Sequence, residues 1–354
     1  MTLVSVLVPA YNAAKTIGET LASAAAQSHR DLEIIVVDDG SIDPTAEIVR
    51  RAAQGDPRIV LLQQANAGVA AARNKALAHA RGAYVAPLDA DDLWHPDKTA
   101  RQVRRIEEAG PRAGLVYCWS VDVDDASIVT DRRLDLDRFE GDVYAALVLA
   151  NFVGNASVPL IRKTEIEAIG GWDQELRRQQ AQGCEDWQVY LRLAERTDYG
   201  LEPAFLVGYR QAQQAMSRQV ASMQRSYQLV LAEARARHPD LPPALFRWSA
   251  AAFDFYAFEL LRGLTSRRRR LPYLLRGILG DPGWLTRPST HRKLKYWLKH
   301  GIAGSGPRKP PPSPIGQPFS ALSPDAHWDV SEGATISARR SLVASLPARR
   351  QLGA

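Results

Sequence analysis

The stretch "YVAPLDADDLWHPD", residues 84–97, ends an apolar run in Asp89, Asp91 and Asp92. Carboxylates this close raise one another's pKa and resist ionising together unless a cation or strong donors neutralise them. A divalent metal meets that need. Oxygen ligands alone suit Mg2+ or Mn2+, and one or two carboxylates with open coordination positions are the usual arrangement where substrate phosphates complete the shell. A structural alternative is a helix cap, with Asp92 or a neighbour capping the helix that follows Pro96.

Three further stretches carry polar groups that could meet a nucleotide. "VVDDGS" (36–41) puts Asp38 and Asp39 after another apolar run, where a carboxylate can accept from the N–H of a base or from a ribose hydroxyl; Asp and Gly also simply favour turns. "VPAYN" (8–12) offers the flat ring of Tyr11 for stacking, although packing is its commoner use. "NAGVAAARNKAL" (66–77) opens a helix at Gly68 with Arg73 and Asn74 one turn in, so helix N–H groups or the guanidinium could approach a diphosphate.

These groups need elements that bring them to one rim. "LVSVLVPA" (3–10), "LEIIVVDD" (32–39), "RIVLLQQ" (58–64), "AYVAPLDA" (83–90) and "AGLVYCW" (113–119) are short and nearly continuously apolar, as strands covered on both faces should be. Helical periods lie between them at 14–28, 44–54 and 69–80. The alternation predicts an α/β fold: a doubly wound, mostly parallel sheet flanked by helices, with ligands bound where loops leave the C-terminal ends of the strands. Downstream, "NFVGNASVPLIRK" (151–163) reads as loop and strand, 185–195 as a helix, and 219–264 as helical with a break at "HPDLPP" (238–243). From Gly301 on, Gly, Pro, Ser and Ala dominate, a composition that buries too little apolar surface to order.

With 45% hydrophobic and 24% charged residues, the chain reads as an ordinary globular protein. The two cysteines, Cys118 and Cys184, are too few for a disulfide framework and suit a reducing compartment. No apolar stretch reaches the roughly 18 residues of a membrane span, and the start "MTLVSVLVPAYN" reads as a first strand rather than a leader. The expectation is a cytoplasmic protein. Its net charge of +6 is uneven: 266–309 carries twelve Lys or Arg against Asp281 as its one acid. With Trp284, Tyr296 and Trp297 among the basic residues, 266–300 is read as a peripheral contact with an anionic membrane surface on its inner face, and no nucleic-acid partner is expected.

In order and spacing, "VSVLVPAYN", "EIIVVDDGS", "NAGVAAARN" and "YVAPLDADDLWHPDK" resemble the nucleotide-binding half of family 2 glycosyltransferases of the GT-A fold. "FVGNASVPLIRK" and "GGWDQELRRQQAQGCEDWQVYLRLA" (170–194) resemble that family's acceptor half. The resemblance implies a GT-A domain over 1–215, with a nucleotide-binding half at 1–119 and an acceptor half at 120–215. A helical basic region at 216–303 and a Pro-rich flexible tail at 304–354 would follow. It also implies an inverting enzyme that moves a sugar from a nucleoside diphosphate sugar, usually a UDP-sugar, to an acceptor hydroxyl of a glycan or glycolipid.

Carried onto this chain, the resemblance places Pro9, Tyr11 and Asp39 at the base with Asp38 nearby, and Asn66 and Arg73 in the same nucleotide-sugar set. Asp89 would lie by the ribose and phosphates, and Asp91, with Asp92, would bind Mg2+ or Mn2+ in the manner of an Asp-x-Asp motif. "CEDW" (184–187) is similar to the motif whose aspartate is the catalytic base, here Asp186; Glu185, Trp172 and Trp187 would border the acceptor pocket. Acids in a helix's first turn are the competing structural reading of that motif. Many relatives follow "YR" with a histidine two residues on, whereas "GYRQAQQAMS" (208–217) has Ala212 there, which leaves a third metal ligand unassigned. A non-catalytic nucleotide-sugar or glycan-binding module is the alternative from another functional class, and the acids at 89, 91, 92 and 186 weigh against it.

Overall fold

The computed structural model describes residues 2–132, 138–211, 220–261, 267–286 and 315–325, together with Val343 and Leu346. The first elements alternate as the sequence periods require: β1 (Val4–Ala10), α1 (Ile17–Ala25), β2 (Leu32–Asp38), α2 (Thr45–Gly55), β3 (Ile59–Gln63), α3 (Val69–His79) and β4 (Tyr84–Pro87). Every residue of β1 and β2 is buried, the result of covering a parallel sheet on both faces. The chain continues through β5 (Leu93–Trp94), α4 (Lys98–Glu108), β6 (Ala113–Val123), β7 (Val129–Arg132), α5 (Tyr144–Leu149), β8 (Leu160–Arg162), α6 (Lys163–Ala168), α7 (Glu175–Arg178), α8 (Glu185–Ala194) and β9 (Asp198–Arg210). Three long helices follow, α9 (Val220–Arg237), α10 (Pro243–Leu260) and α11 (Arg267–Gly280).

The strand order is β3-β2-β1-β4-β8-β6-β9-β5, with β7 beside β6. β1 to β4 pair in parallel, and so do β6 and β9. β8 runs antiparallel to both β4 and β6, and β5 antiparallel to β9. The sheet is therefore mixed beyond β4, where a mostly parallel one was expected. Apolar periodicity reports burial and not strand direction, so β8 could not be oriented from it. The short β5 matters for the site: Leu93 pairs with Gly208 and Trp94 with Val207, which fastens the chain just after the acidic turn to the end of β9.

Val230 and Ala234 of α9 and Leu245 and Phe246 of α10 share one apolar core with the sheet. Tyr227 stacks between Trp187 and Phe253, with ring centroids at 4.6 and 4.3 Å. Within the stretch 304–354, expected to be flexible, residues 315–325 lie folded against the sheet. Phe319 and Leu322 are buried with Leu93, Val121, Val123, Val129 and Phe205. The Val129 N–H donates to the Gln317 carbonyl and the Phe205 N–H to the Pro324 carbonyl. Phe319 sits on Gly208, where an added Cβ would come within 3.1 Å of its ring. Average composition hides two apolar side chains that have an uncovered sheet edge to bury. Among the described residues no helix is long and apolar enough to cross a membrane.

Candidate active site

The acidic turn divides its three carboxylates between different tasks. Asp92 is fully buried: Ser157 Oγ donates to its Oδ2 at 2.5 Å, and the Arg210 backbone N–H donates to its Oδ1 at 3.0 Å. Both oxygens are thus engaged inside the protein. Burial, with Asp91 and Asp89 close by, holds its carboxyl well above the ordinary range. The metal-ligand role expected for Asp92 does not fit this position, since both of its oxygens are taken up inside the protein and away from the rim. The capping alternative does not hold either, because the residue preceding α4 is Asp97, and it makes no side-chain cap bond. Asp92 is a tie between the turn, β8's approach and β9.

Ser157 also accepts the Asp89 backbone N–H at 3.0 Å, so one hydroxyl links both ends of the turn. The buried Arg210 closes the other side, its Nε donating to the Asp91 carbonyl at 2.8 Å, its Nη1 to the Asp124 carbonyl at 2.8 Å and its Nη2 to Glu19 at 2.7 Å. Sequence reasoning assigned no role to Ser157, Arg210 or Glu19. The available signal was Arg210 itself, a guanidinium at the end of the apolar run "AFLVGY", which can be buried only where acceptors surround it.

Arg73, one turn into α3 and 2% exposed, is the centre of the site. Its Nη2 donates to Asp89 Oδ1 and its Nη1 to Asp186 Oδ1, each at 2.6 Å. Two carboxylates flanking a planar fork is the geometry a guanidinium satisfies and an ammonium does not. Both partners keep part of their surface at the rim, 29% for the Asp89 side chain and 22% for that of Asp186. Burial pushes the Asp186 carboxyl up to about 7, with Glu185 and Asp89 adding to the rise and Arg73 opposing it. The Trp172 side chain also hydrogen-bonds Asp186. Arg73 is pushed higher still by Asp186 and Asp89, against its own burial, and stays cationic at any working pH.

On the nucleotide side, Tyr11 follows β1 with about half of its surface exposed, while Pro9 lies buried within the strand. Asp39 is buried, accepting from Gln64 Nε2 and from the Ala67 and Gly68 N–H groups, all at 2.8 Å. Asp38 accepts from the Ser41 N–H and from Gln63 Nε2, both at 3.1 Å. These carboxylates shape the loop before α3, and of the N–H groups at the start of that helix the one on Gly68 is given to Asp39. Asn66 Oδ1 accepts from Arg177 Nη2 at 2.6 Å, tying this loop to α7. Gly68 has φ +91°, a conformation that favours glycine, and a Cβ there would meet the Arg177 side chain.

The acceptor-side expectations fare unevenly. Trp172 is buried next to Arg73, whose guanidinium carbon is 5.8 Å from the ring centroid. Trp187 points away from the rim: its Nε1 donates to the Leu147 carbonyl at 2.8 Å and its ring stacks on Tyr227, so it is core and not pocket wall. Glu185 is buried and accepts the Gly183 N–H at 2.8 Å. It still lines a cleft between α3 and α7 with Gly68, Asp173, Arg177 and Gln182. Ala212, Tyr296 and Trp297 lie outside the described residues, as does the side chain of Trp284.

Among the described residues no three His, Cys, Asp or Glu side chains form a metal-ligand cluster. Asp92 is enclosed and Asp89 pairs with Arg73, which leaves Asp91, partly exposed, as the third acid of the turn. Burial and the Asp89 charge push its carboxyl up to about 6. A carboxylate raised by burial and a neighbouring acid, with Arg210 only partly opposing the rise, fits Mg2+ or Mn2+ held by one protein carboxylate and completed by substrate phosphates.

The family model "Glycosyl transferase family 2" matches residues 5–155. TuaG of Bacillus subtilis (strain 168), whose name assigns it provisionally as a teichuronic acid biosynthesis glycosyltransferase, is 47% identical over 107 residues, covering 30% of this chain and 42% of that protein. The succinoglycan biosynthesis protein ExoO of Rhizobium meliloti (strain 1021) is 36% identical over 149 residues, 42% of each chain. The match therefore spans less than half the length of either relative. Among solved structures, mannosyltransferase PcManGT from Pyrobaculum calidifontis, in complex with GDP-Man and Mn2+, superposes with a TM-score of 0.54 at 20% identity, covering 84% of both chains. S. aureus TarS 1-349 in complex with UDP-GlcNAc gives 0.54 at 16% identity, covering 84% of this chain and 92% of that one. The fold is that of the GT-A transferases.

Proposed function

We propose that this chain, a member of glycosyl transferase family 2 through residues 5–155, is an inverting glycosyltransferase. In this reading it passes a sugar from a nucleoside diphosphate sugar to an acceptor hydroxyl during polysaccharide synthesis. One observation carries the reading: a single buried arginine holds the base candidate Asp186 and the donor-side Asp89 at 2.6 Å each. The reaction needs a base near the entering hydroxyl and, across the anomeric carbon, positive charge near the departing diphosphate.

Asp186 takes the proton from the acceptor oxygen as that oxygen bonds the anomeric carbon and the bond to the diphosphate breaks. A carboxyl pushed up to about 7 is well matched to that task, because a general base works best with a pKa near the operating pH. Arg73 orients Asp186 and lowers the cost of placing two acids at one site. Asp91 would hold a divalent cation, which would supply charge stabilisation for the leaving diphosphate. Asp89 faces the ribose and phosphates, and Tyr11 stacks on the base.

The donor we favour is a UDP-sugar, as bound in TarS, over the GDP-sugar bound in PcManGT. A carboxylate offers about four acceptor sites, and Asp39 already receives three donors from its loop. The remaining site matches the single ring N–H of uracil better than the paired N–H groups of guanine. The names of TuaG and ExoO support a polysaccharide as the product.

The test is release of nucleoside diphosphate from UDP- and GDP-sugars with Mn2+, in the native chain and in Asp186→Asn. Turnover with a UDP-sugar that falls by about a thousandfold or more in the variant, while nucleotide binding persists, is the expected result. Undiminished turnover in Asp186→Asn removes the base assignment, and binding without turnover under all donors favours a binding module.

A further inference from the structure

We propose that α11 presents a docking face for an anionic lipid surface. Leu271, Leu275 and Leu279 recur every fourth residue, so they form one stripe, and they are 43%, 51% and 78% exposed. A single exposed leucine needs no explanation, but a continuous apolar stripe on a helix does. The helix does not need that stripe to hold its place. Its other side is fixed to α10: Leu274 is buried, Gly277 lies so close to Phe255 that a Cβ would stand 2.6 Å from the ring, and Arg276 pairs with Asp254 at 2.8 Å.

The charges beside the stripe identify the occupant. Arg268 and Arg269 are exposed in the first turn of α11, which contains no acid. Cations at a helix N-terminus oppose the helix dipole, so these arginines cost the helix stability and require an anionic partner to account for them. α11 and the chain after it carry the bias together, with twelve Lys or Arg and one acid over 266–309. A second copy of this chain would cover the leucines with a region that is itself basic and would give the arginines no anionic partner. A nucleic acid would satisfy the arginines and leave the leucines in water. A lipid surface with anionic headgroups meets both, the leucines entering the interface while the arginines remain at headgroup level. The helix lies on such a surface without crossing it, in keeping with the lack of any membrane-length apolar helix among the described residues.

The experiment is co-sedimentation of the full chain with vesicles of phosphatidylcholine alone, and of phosphatidylcholine with about one third phosphatidylglycerol, with light scattering and a short DNA duplex in parallel. Binding to the anionic vesicles should be at least about tenfold tighter than to neutral ones. Each exposed arginine contributes about fivefold, so Arg268→Gln with Arg269→Gln should weaken it about twenty-fivefold. Leu275→Ser with Leu279→Ser should weaken it by about tenfold or more. Should a double variant melt early, Leu279→Ser alone, at the most exposed position, makes the same test. Equal affinity for both vesicles, no affinity for either, or indifference to the leucine variants would overturn the proposal. So would a dimer that the leucine variants dissociate without any vesicle binding, or tighter binding to the duplex than to anionic vesicles. None of these readouts depends on sugar transfer.

Discussion

Arg73 stands 2.6 Å from Asp89 and 2.6 Å from Asp186, which lies 113 residues beyond it in sequence, so one buried guanidinium joins the end of β4 to the first turn of α8. Because a lysine ammonium cannot span both carboxylates, Arg73→Lys should fail to rescue. We expect Arg73→Ala to lose about 3 kcal/mol of stability, the cost of leaving paired acids without their cation. Both variants should lose at least about a hundredfold in kcat/KM, the loss of a positioned site geometry. Urea denaturation and nucleoside diphosphate release measure the two effects, and an active Arg73→Lys would show that the fork is not needed.

The pH profile follows from the Asp186 carboxyl, which burial raises to about 7. A base works only when ionised, so kcat/KM should rise with pH through about 7 and level above it. Glu185 is one of the charges that raise this carboxyl, so Glu185→Gln should move the midpoint down. A midpoint that moves up, or stays, would separate Asp186 from the profile.

Metal binding should distinguish the two neighbouring acids. Mn2+ should raise the melting temperature in the presence of UDP, keep doing so in Asp92→Asn, and lose the effect in Asp91→Asn. Only an ionised carboxylate binds the cation, and the Asp91 carboxyl sits at about 6, so below that pH the proton competes with the metal. The Mn2+ shift should therefore shrink as pH falls from 7 to 5, measured by differential scanning fluorimetry.

Ser157 donates to Asp92 and accepts from Asp89, so Ser157→Ala leaves a buried carboxylate oxygen without its donor. A loss of about 1–3 kcal/mol is expected. The melting curve gives that number, and a weaker Mn2+ affinity would report the loosened turn.

Phe319 closes the sheet edge against Gly208, with Leu322 beside it. Phe319→Ala should cost about 3–4 kcal/mol as a large-to-small core change. Chemical denaturation measures it, and a cost near zero would mean that residues 315–325 add nothing to the fold.

The sequence alone determined the alternation of buried strands and helices through β6, because covering a sheet on both faces leaves an unbroken apolar run in each strand. It also located the acids, since Asp89, Asp91 and Asp186 follow or begin elements whose periods are legible. Tertiary structure decided which acid does what. Asp92 and Trp187 sit in stretches that read as functional, yet Asp92 is enclosed by Ser157 and Arg210, and Trp187 turns to Tyr227. Those partners lie tens of residues or more away in the chain, and a local pattern carries no information about contacts at that separation. The same reason hid the clamp at Arg73 and the antiparallel β8: period fixes which face is buried, whereas strand direction and ion pairing are settled only when distant segments meet.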